Sequence, residues 1–226
     1  MSGVDELLAV LQLTDSAFPS GMYTLSHSLE GYQQARAVTP ATLPALLAGI
    51  LSAGAGPSDA TAVALAHRAC TAGDWPAVAA VDRRLHATKL GREARQATVR
   101  TGRQLLDLTR EIHRTPELET LAGLDGVRPC RPVVAAVAHA ALGVPVEHAV
   151  AAELFGLAAS LAGAALRLRL TDHRRAQLLL RRLAPAIERA TADALARDLA
   201  DLGGCTPLAD LMGARHERAE ARLFAS

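Results

Sequence analysis

The stretch from Asp15 to Glu30 departs from the alanine and leucine that fill most of the chain, and it gathers polar, aromatic and breaker residues: Asp15, Ser16, Phe18, Pro19, Gly21, Tyr23, Ser26, His27 and Glu30. Pro19 and Gly21 set a bend between two helical patterns. After the bend, Tyr23, His27 and Glu30 recur at intervals of four and three, which places them on one helical face. An imidazole beside a carboxylate is an acid/base pair in type. A helical enzyme using His27 and Glu30 would also need a third, orienting group and a pocket, and the sequence indicates neither. A polar face carrying an aromatic ring suits recognition of another protein. The plainer alternative is a capped helix-turn-helix joint, in which Asp15 or Ser16 accepts backbone N–H groups, Phe18 plugs the core and Glu30 is solvated.

Other chemistries fail on residue type or spacing. Lys89 is the sole lysine and follows Thr88, so the Gly-Lys-Ser/Thr end of a phosphate-binding loop is absent. His216-Glu217 lacks the second histidine of a helical zinc motif, and no Gly-x-Ser-x-Gly elbow occurs. Cys70, Cys130 and Cys205 form no Cys-x-x-Cys pair. Cys205 and His216 are near enough in sequence to hold a soft divalent ion transiently, but a buried thiol and a solvated imidazole are the plainer reading. No catalytic residue, metal site or cofactor is expected.

The elements that must position the segment are helices. Half of the 226 residues are hydrophobic and only 3% aromatic, so the core is built from alanine, leucine and valine, a composition that favours closely packed helices. The fold class is all-α, a single bundle of eight to ten helices. With 24 basic against 23 acidic residues the net charge is +1, too small to argue for nucleic acid or an anionic membrane. Widely spaced cysteines in odd number fit a reduced, cytoplasmic setting. Ala37 to Ser58 is uncharged but interrupted by Pro40, Pro44 and Pro57, and Leu154 to Leu166 is too short to span a bilayer, so both are expected to be buried helix.

Punctuation along the chain is legible. Helices are expected over Asp5 to Leu13 and Leu25 to Ala35, from Thr39-Pro40 onward, and from Ser58-Asp59 to Thr71. Asp74 caps the next, to about His86, and Leu90 to His113 forms one long helix interrupted by Gly102. Thr115-Pro116 opens another, and Gly123 to Arg131 is the best candidate for a boundary or mobile loop. Pro132 starts a helix ending at Gly143, Pro145 to Leu170 is the central helix, and Asp172 caps a last long helix to about Leu202. Gly203-Gly204 then divides a 1–204 domain from a charged 205–226 tail.

The run Asp15-Ser16-Ala17-Phe18-Pro19-Ser20-Gly21, followed by Tyr23-Thr24-Leu25-Ser26-His27-Ser28-Leu29-Glu30, resembles the N-terminal signature of the UreF family of urease accessory proteins. Further stretches are similar to the family in order along the chain: Arg92 to Leu106 with Gly102-Arg103-Gln104-Leu105-Leu106, Pro132-Val133-Val134 through Pro145, Ala164 to Leu168 with Thr171-Asp172, and the ending His216-Glu217-Arg218 through Arg222-Leu223-Phe224-Ala225-Ser226. It departs at Arg169-Leu170, where the family often has Gly-Gln, and at Arg131, where an aromatic or imidazole is usual.

The resemblance implies an all-helical, homodimeric protein that is not itself an enzyme. It would join UreD (also called UreH) and the GTPase UreG to deliver nickel to apo-urease, with neither nucleic acid nor membrane as partner. Tyr23, His27 and Glu30, shaped by Phe18 and Pro19, would face the GTPase. Arg222 would hold partner contacts, with Leu223 and Phe224 as the apolar anchor and His216 in the same terminal motif. The tail would order only against UreD. Arg167 is open between a role toward the GTPase and a structural ion pair. A ligand-responsive DNA-binding regulator, reading Arg92 to Arg103 as its nucleic-acid face, is the alternative class.

Overall fold

A computed structural model of the protein describes residues 3–225. Among the described residues there is no strand. The central element is α9 (Val146–Arg167), which packs against α10 (His173–Ala196), α4 (Thr61–Thr71), α8 (Arg131–Ala141) and α1 (Gly3–Thr14). Its buried residues include Ala149, Ala158, Ala164 and Ala165 beside Val150, Leu154 and Leu161, and such small side chains let neighbouring helices approach closely. By length and composition α9 could cross a membrane, but here its apolar side is covered by other helices.

Several boundaries follow their caps. Asp74 Oδ1 accepts from Ala77 N at the start of α5 (Trp75–Thr88), and Asp172 Oδ1 accepts from Arg175 N at the start of α10. α6 (Arg92–His113) is unbroken, and α7 (Pro116–Ala122) begins at the Thr115-Pro116 pair. Gly102 sits in α6 because a Cβ there would collide with the carbonyl of Pro129. The 123–130 loop is pinned at the same place: fully buried Asp82 accepts from Arg128 N at 2.6 Å and Cys130 N at 2.8 Å. Arg169, at a position where the resemblance leads one to expect glycine, adopts a left-handed φ of 57°.

Elsewhere the boundaries move. Thr39-Pro40 does not open a helix; Thr39 and Thr42 exchange backbone-to-hydroxyl hydrogen bonds, and α3 (Leu43–Gly49) starts after them. Nor does Ser58-Asp59 start a new element. α3 continues through a π-helical stretch (Ile50–Ala60) directly into α4, one rod with Pro57 inside it. Proline has no N–H to give, and the Ala53 carbonyl that an α-helix would pair with residue 57 instead accepts from Cys205 N at 2.9 Å. The Pro57 carbonyl accepts from Gly203 N at 2.9 Å, and Gly204 lies against Gly54. Segment 203–206 is thereby stitched to the rod. α10 ends at Ala196, short of Leu202, in a turn where Asp198 Oδ1 accepts from Ala200 N.

Gly203-Gly204 therefore does not set the tail apart. α11 (Pro207–His216) packs on α2 (Leu29–Gln34), close enough that a Cβ on Gly31 would strike the Met212 carbonyl. Met212, His216 and Phe224 are buried within the chain.

Candidate functional site

The Asp15 to Glu30 segment is built differently from the single helical face its spacing suggests. Tyr23 sits in a one-turn 3₁₀ helix (Met22–Thr24), His27 and Ser28 take left-handed φ values of 51° and 69°, and α2 starts only at Leu29. Left-handed residues break the helical register, so Tyr23, His27 and Glu30 diverge. Tyr23 is 70% exposed, Glu30 is 5% exposed, and His27 turns toward α9, its Nε2 lying 3.1 Å from Ser160 Oγ. Phe18 is half-buried against the core and Pro19 is exposed.

What the fold does bring together comes from opposite ends of the chain. The guanidinium carbon of Arg167 lies 4.0 Å from the centroid of the Tyr23 ring and 4.2 Å from that of Phe224. The cation is held between two π faces, an arrangement worth about 1–2 kcal/mol in total when partly desolvated. Arg167 makes no ion pair among the described residues, and its Nε donates to the Gly163 carbonyl at 3.3 Å. The aromatic platform replaces the structural ion pair considered for it. Leu223, beside this platform, is 65% exposed.

A buried polar network sets the platform's position. Glu30 Oε1 accepts from Leu223 N at 2.8 Å, and Oε2 accepts from Phe224 N at 3.0 Å. The His216 ring, 1% exposed, bridges two carboxylates, with Nε2 2.8 Å from Glu30 Oε2 and Nδ1 3.2 Å from Glu93 Oε2. The other Glu93 oxygen pairs with Arg222 Nη1, and its backbone N–H donates to Glu217 Oε1 at 2.9 Å. Thr24 O accepts from Ala225 N at 2.9 Å, and Gln34 Nε2 donates to Ala221 O at 3.1 Å. Arg222 is thus engaged within the chain, while Tyr23 and Leu223 stand out from it.

The pairing considered for Cys205 and His216 is reversed: the thiol is exposed and the imidazole buried. Among the described residues no three His, Cys, Asp or Glu side chains are disposed to hold a metal. Burial holds the Cys70 thiol up at about 11 and pushes that of Cys130 up as well, leaving neither a ready nucleophile.

A cavity of about 170 Å³ is lined by His27, Asp59, Lys89, Glu93, Arg131 and Glu153. Its charges are paired: Arg131 Nη1 with Glu153 Oε2, both nearly buried, and Lys89 Nζ with Asp59 Oδ1 at 2.6 Å. Burial first, then the Arg131 charge, lowers His27 to about 4. Glu93, Arg131 and Glu153 carry no local signal of these roles. Glu93 reads as an ordinary acidic residue in the first turn of α6, and only the tertiary fold makes it the junction of two chain ends.

The imidazole that two carboxylates orient, His216, is itself buried. The arrangement offers an exposed aromatic and aliphatic surface fixed from beneath by charge-assisted hydrogen bonds, a construction suited to binding a protein. The UreF family model matches residues 37–184. The chain is 32% identical to the urease accessory protein UreF of Trichodesmium erythraeum, covering 100% of this chain and 99% of that one. It is 34% identical to the protein of that name from Azorhizobium caulinodans, over 97% and 95% of the two chains. The Xanthobacter autotrophicus relative is 33% identical over 97% and 91%.

Proposed function

Because the chain belongs to the UreF family of urease accessory proteins, we propose that it is a non-enzymatic bridge in urease maturation. It joins UreD (UreH) to the GTPase UreG and couples GTP hydrolysis to nickel delivery into apo-urease, acting as a cytoplasmic homodimer. The observation that carries this reading is the meeting of Tyr23, Arg167 and Phe224 on the Glu30–His216–Glu93 base. A recognition surface assembled from both ends of the chain presents Tyr23 and Leu223 only when the whole chain is folded. The absence of a phosphate-binding loop leaves the nucleotide to a partner. Val4, Leu7, Leu8 and Leu11 form an exposed stripe on α1 that supports self-association.

The test is co-purification with UreD and UreG from the same genome. The intact chain is expected to form the ternary complex. Tyr23→Ala keeps UreD and recruits UreG weakly, whereas Arg222→Ala stays a folded dimer and fails to assemble. Unchanged assembly of both variants on gel filtration would remove this surface from the account, and no complex with the intact chain would overturn the bridging role.

A further inference from the structure

The face of α6 opposite the cavity forms a second, unassigned surface. An open cleft of about 640 Å³ runs along it. Arg92, Arg95, Arg100 and Arg103 line one side, and Arg128 from the pinned 123–130 loop faces them beside His86 of α5. Five arginines thus line one cleft in a protein whose net charge is +1. Among the described residues, one carboxylate lies within ion-pair distance of any of them: Glu217, 4.0 Å from Arg92 Nε. Buried Asp82 accepts from the Arg128 and Cys130 amides and makes no ion pair with a cleft guanidinium, so its charge offsets the field only in part. Arg95 Nη1 is held by the carbonyls of Lys89 and Leu90, which fix its direction without cancelling its charge. Burial first, then Arg128, lowers the His86 pKa, with Asp82 opposing and Arg95 adding to the shift.

We infer that this cleft docks an acidic polypeptide segment. Arg92 to Arg103 spans eleven helical rises, about 17 Å, the length of about five extended residues. Arginine forks pair with carboxylates in bidentate fashion, and Gln96 and Gln104 bring amide groups that match a peptide backbone. Nucleic acid fits less well. Single strands are held on platforms of large aromatic rings, and no Phe, Tyr or Trp lines the cleft. Reading a duplex requires an element that enters its groove, whereas these arginines line a concavity.

The inference stands apart from the bridging role, since its test needs no urease protein. Fluorescein-labelled hexaglutamate is titrated with the full chain by fluorescence anisotropy at low and at physiological ionic strength, with oligothymidylate and inorganic phosphate as competitors. Hexaglutamate is expected to bind and to weaken about tenfold or more with added salt, as displaced counterions require. Arg100→Glu/Arg103→Glu, both exposed, should retain the helical circular-dichroism spectrum and lose about tenfold in affinity, while Arg174→Glu/Arg175→Glu on α10 binds as the parent does. Absence of binding, equal loss in both double variants, displacement by phosphate at matching concentration, or tighter binding of the oligothymidylate would each overturn it.

Discussion

Glu30 shows how one side chain can hold two distant parts of a chain in register. Its two oxygens take the Leu223 and Phe224 amides and the His216 ring, and the bonds to Phe224 and His216 are buried. Hydrogen bonds to a charged acceptor contribute about 1.5–3 kcal/mol each, and a half-removed buried pair leaves an uncompensated group behind. Glu30→Gln keeps the shape but turns an N–H₂ toward one of those donors. We expect it to cost about 2–4 kcal/mol of stability, read as a lower urea midpoint, and to speed hydrogen exchange at the Leu223 and Phe224 amides. Unaltered exchange at those two amides would show that Glu30 does not anchor the ending. Tyr23 and Arg167 depend on the same anchor, because Phe224 supplies one of the two rings around the guanidinium.

Among the elements, Gly102 separates local preference from tertiary demand. Alanine at a mid-helix position gains about 1 kcal/mol over glycine, yet the Pro129 carbonyl occupies the place where the Cβ would go. Gly102→Ala should therefore destabilise, by roughly 3 kcal/mol, as α6 and the 129–131 backbone are forced apart. The check is a shift in urea midpoint at unchanged slope. The same contrast explains what the sequence discloses. Asp74, Asp172 and Thr115-Pro116 act through neighbours three or four residues away, so those helix starts were legible, as was the all-α class from an aromatic-poor, alanine-rich composition. Pro57 inside the rod was not, because its tolerance rests on Gly203 and Cys205, nearly 150 residues on. The helical face expected of Tyr23, His27 and Glu30 fails for a related reason. His27 and Ser28 take left-handed conformations that spacing does not encode, and each side chain then finds a different distant partner: Arg167, Ser160 and His216.

At the scale of the whole molecule, histidines are buried, His27 and His139 within the field of buried Arg131, and this shapes how the fold responds to acid. His27 is lowered to about 4 by burial and then by Arg131, with Asp59 opposing and Lys89 adding to the shift. His139 on α8 is lowered to about 4 by burial, then by His67, with Arg131 acting in the same direction. His67 is itself lowered, chiefly by burial. For each, the unfolded chain binds the proton near pH 6.5 while the folded chain refuses it. The stabilisation from His27 and His139 is therefore complete above the unfolded value, declines as pH falls through 6.5, and is exhausted once the folded value near 4 is passed, and that from His67 declines in the same direction. Between about pH 5 and 6 the exposed carboxylates remain ionised in both states, so the histidines dominate the slope. Unfolding there should take up about two protons from His27 and His139 together, in addition to the His67 contribution. His139→Met puts an adaptable apolar side chain in the same space and should reduce that uptake by about one proton, leaving the dependence at higher pH unchanged. The measurement is urea unfolding across this range. An unchanged slope in the variant would mean that His139 does not enter the native state neutral.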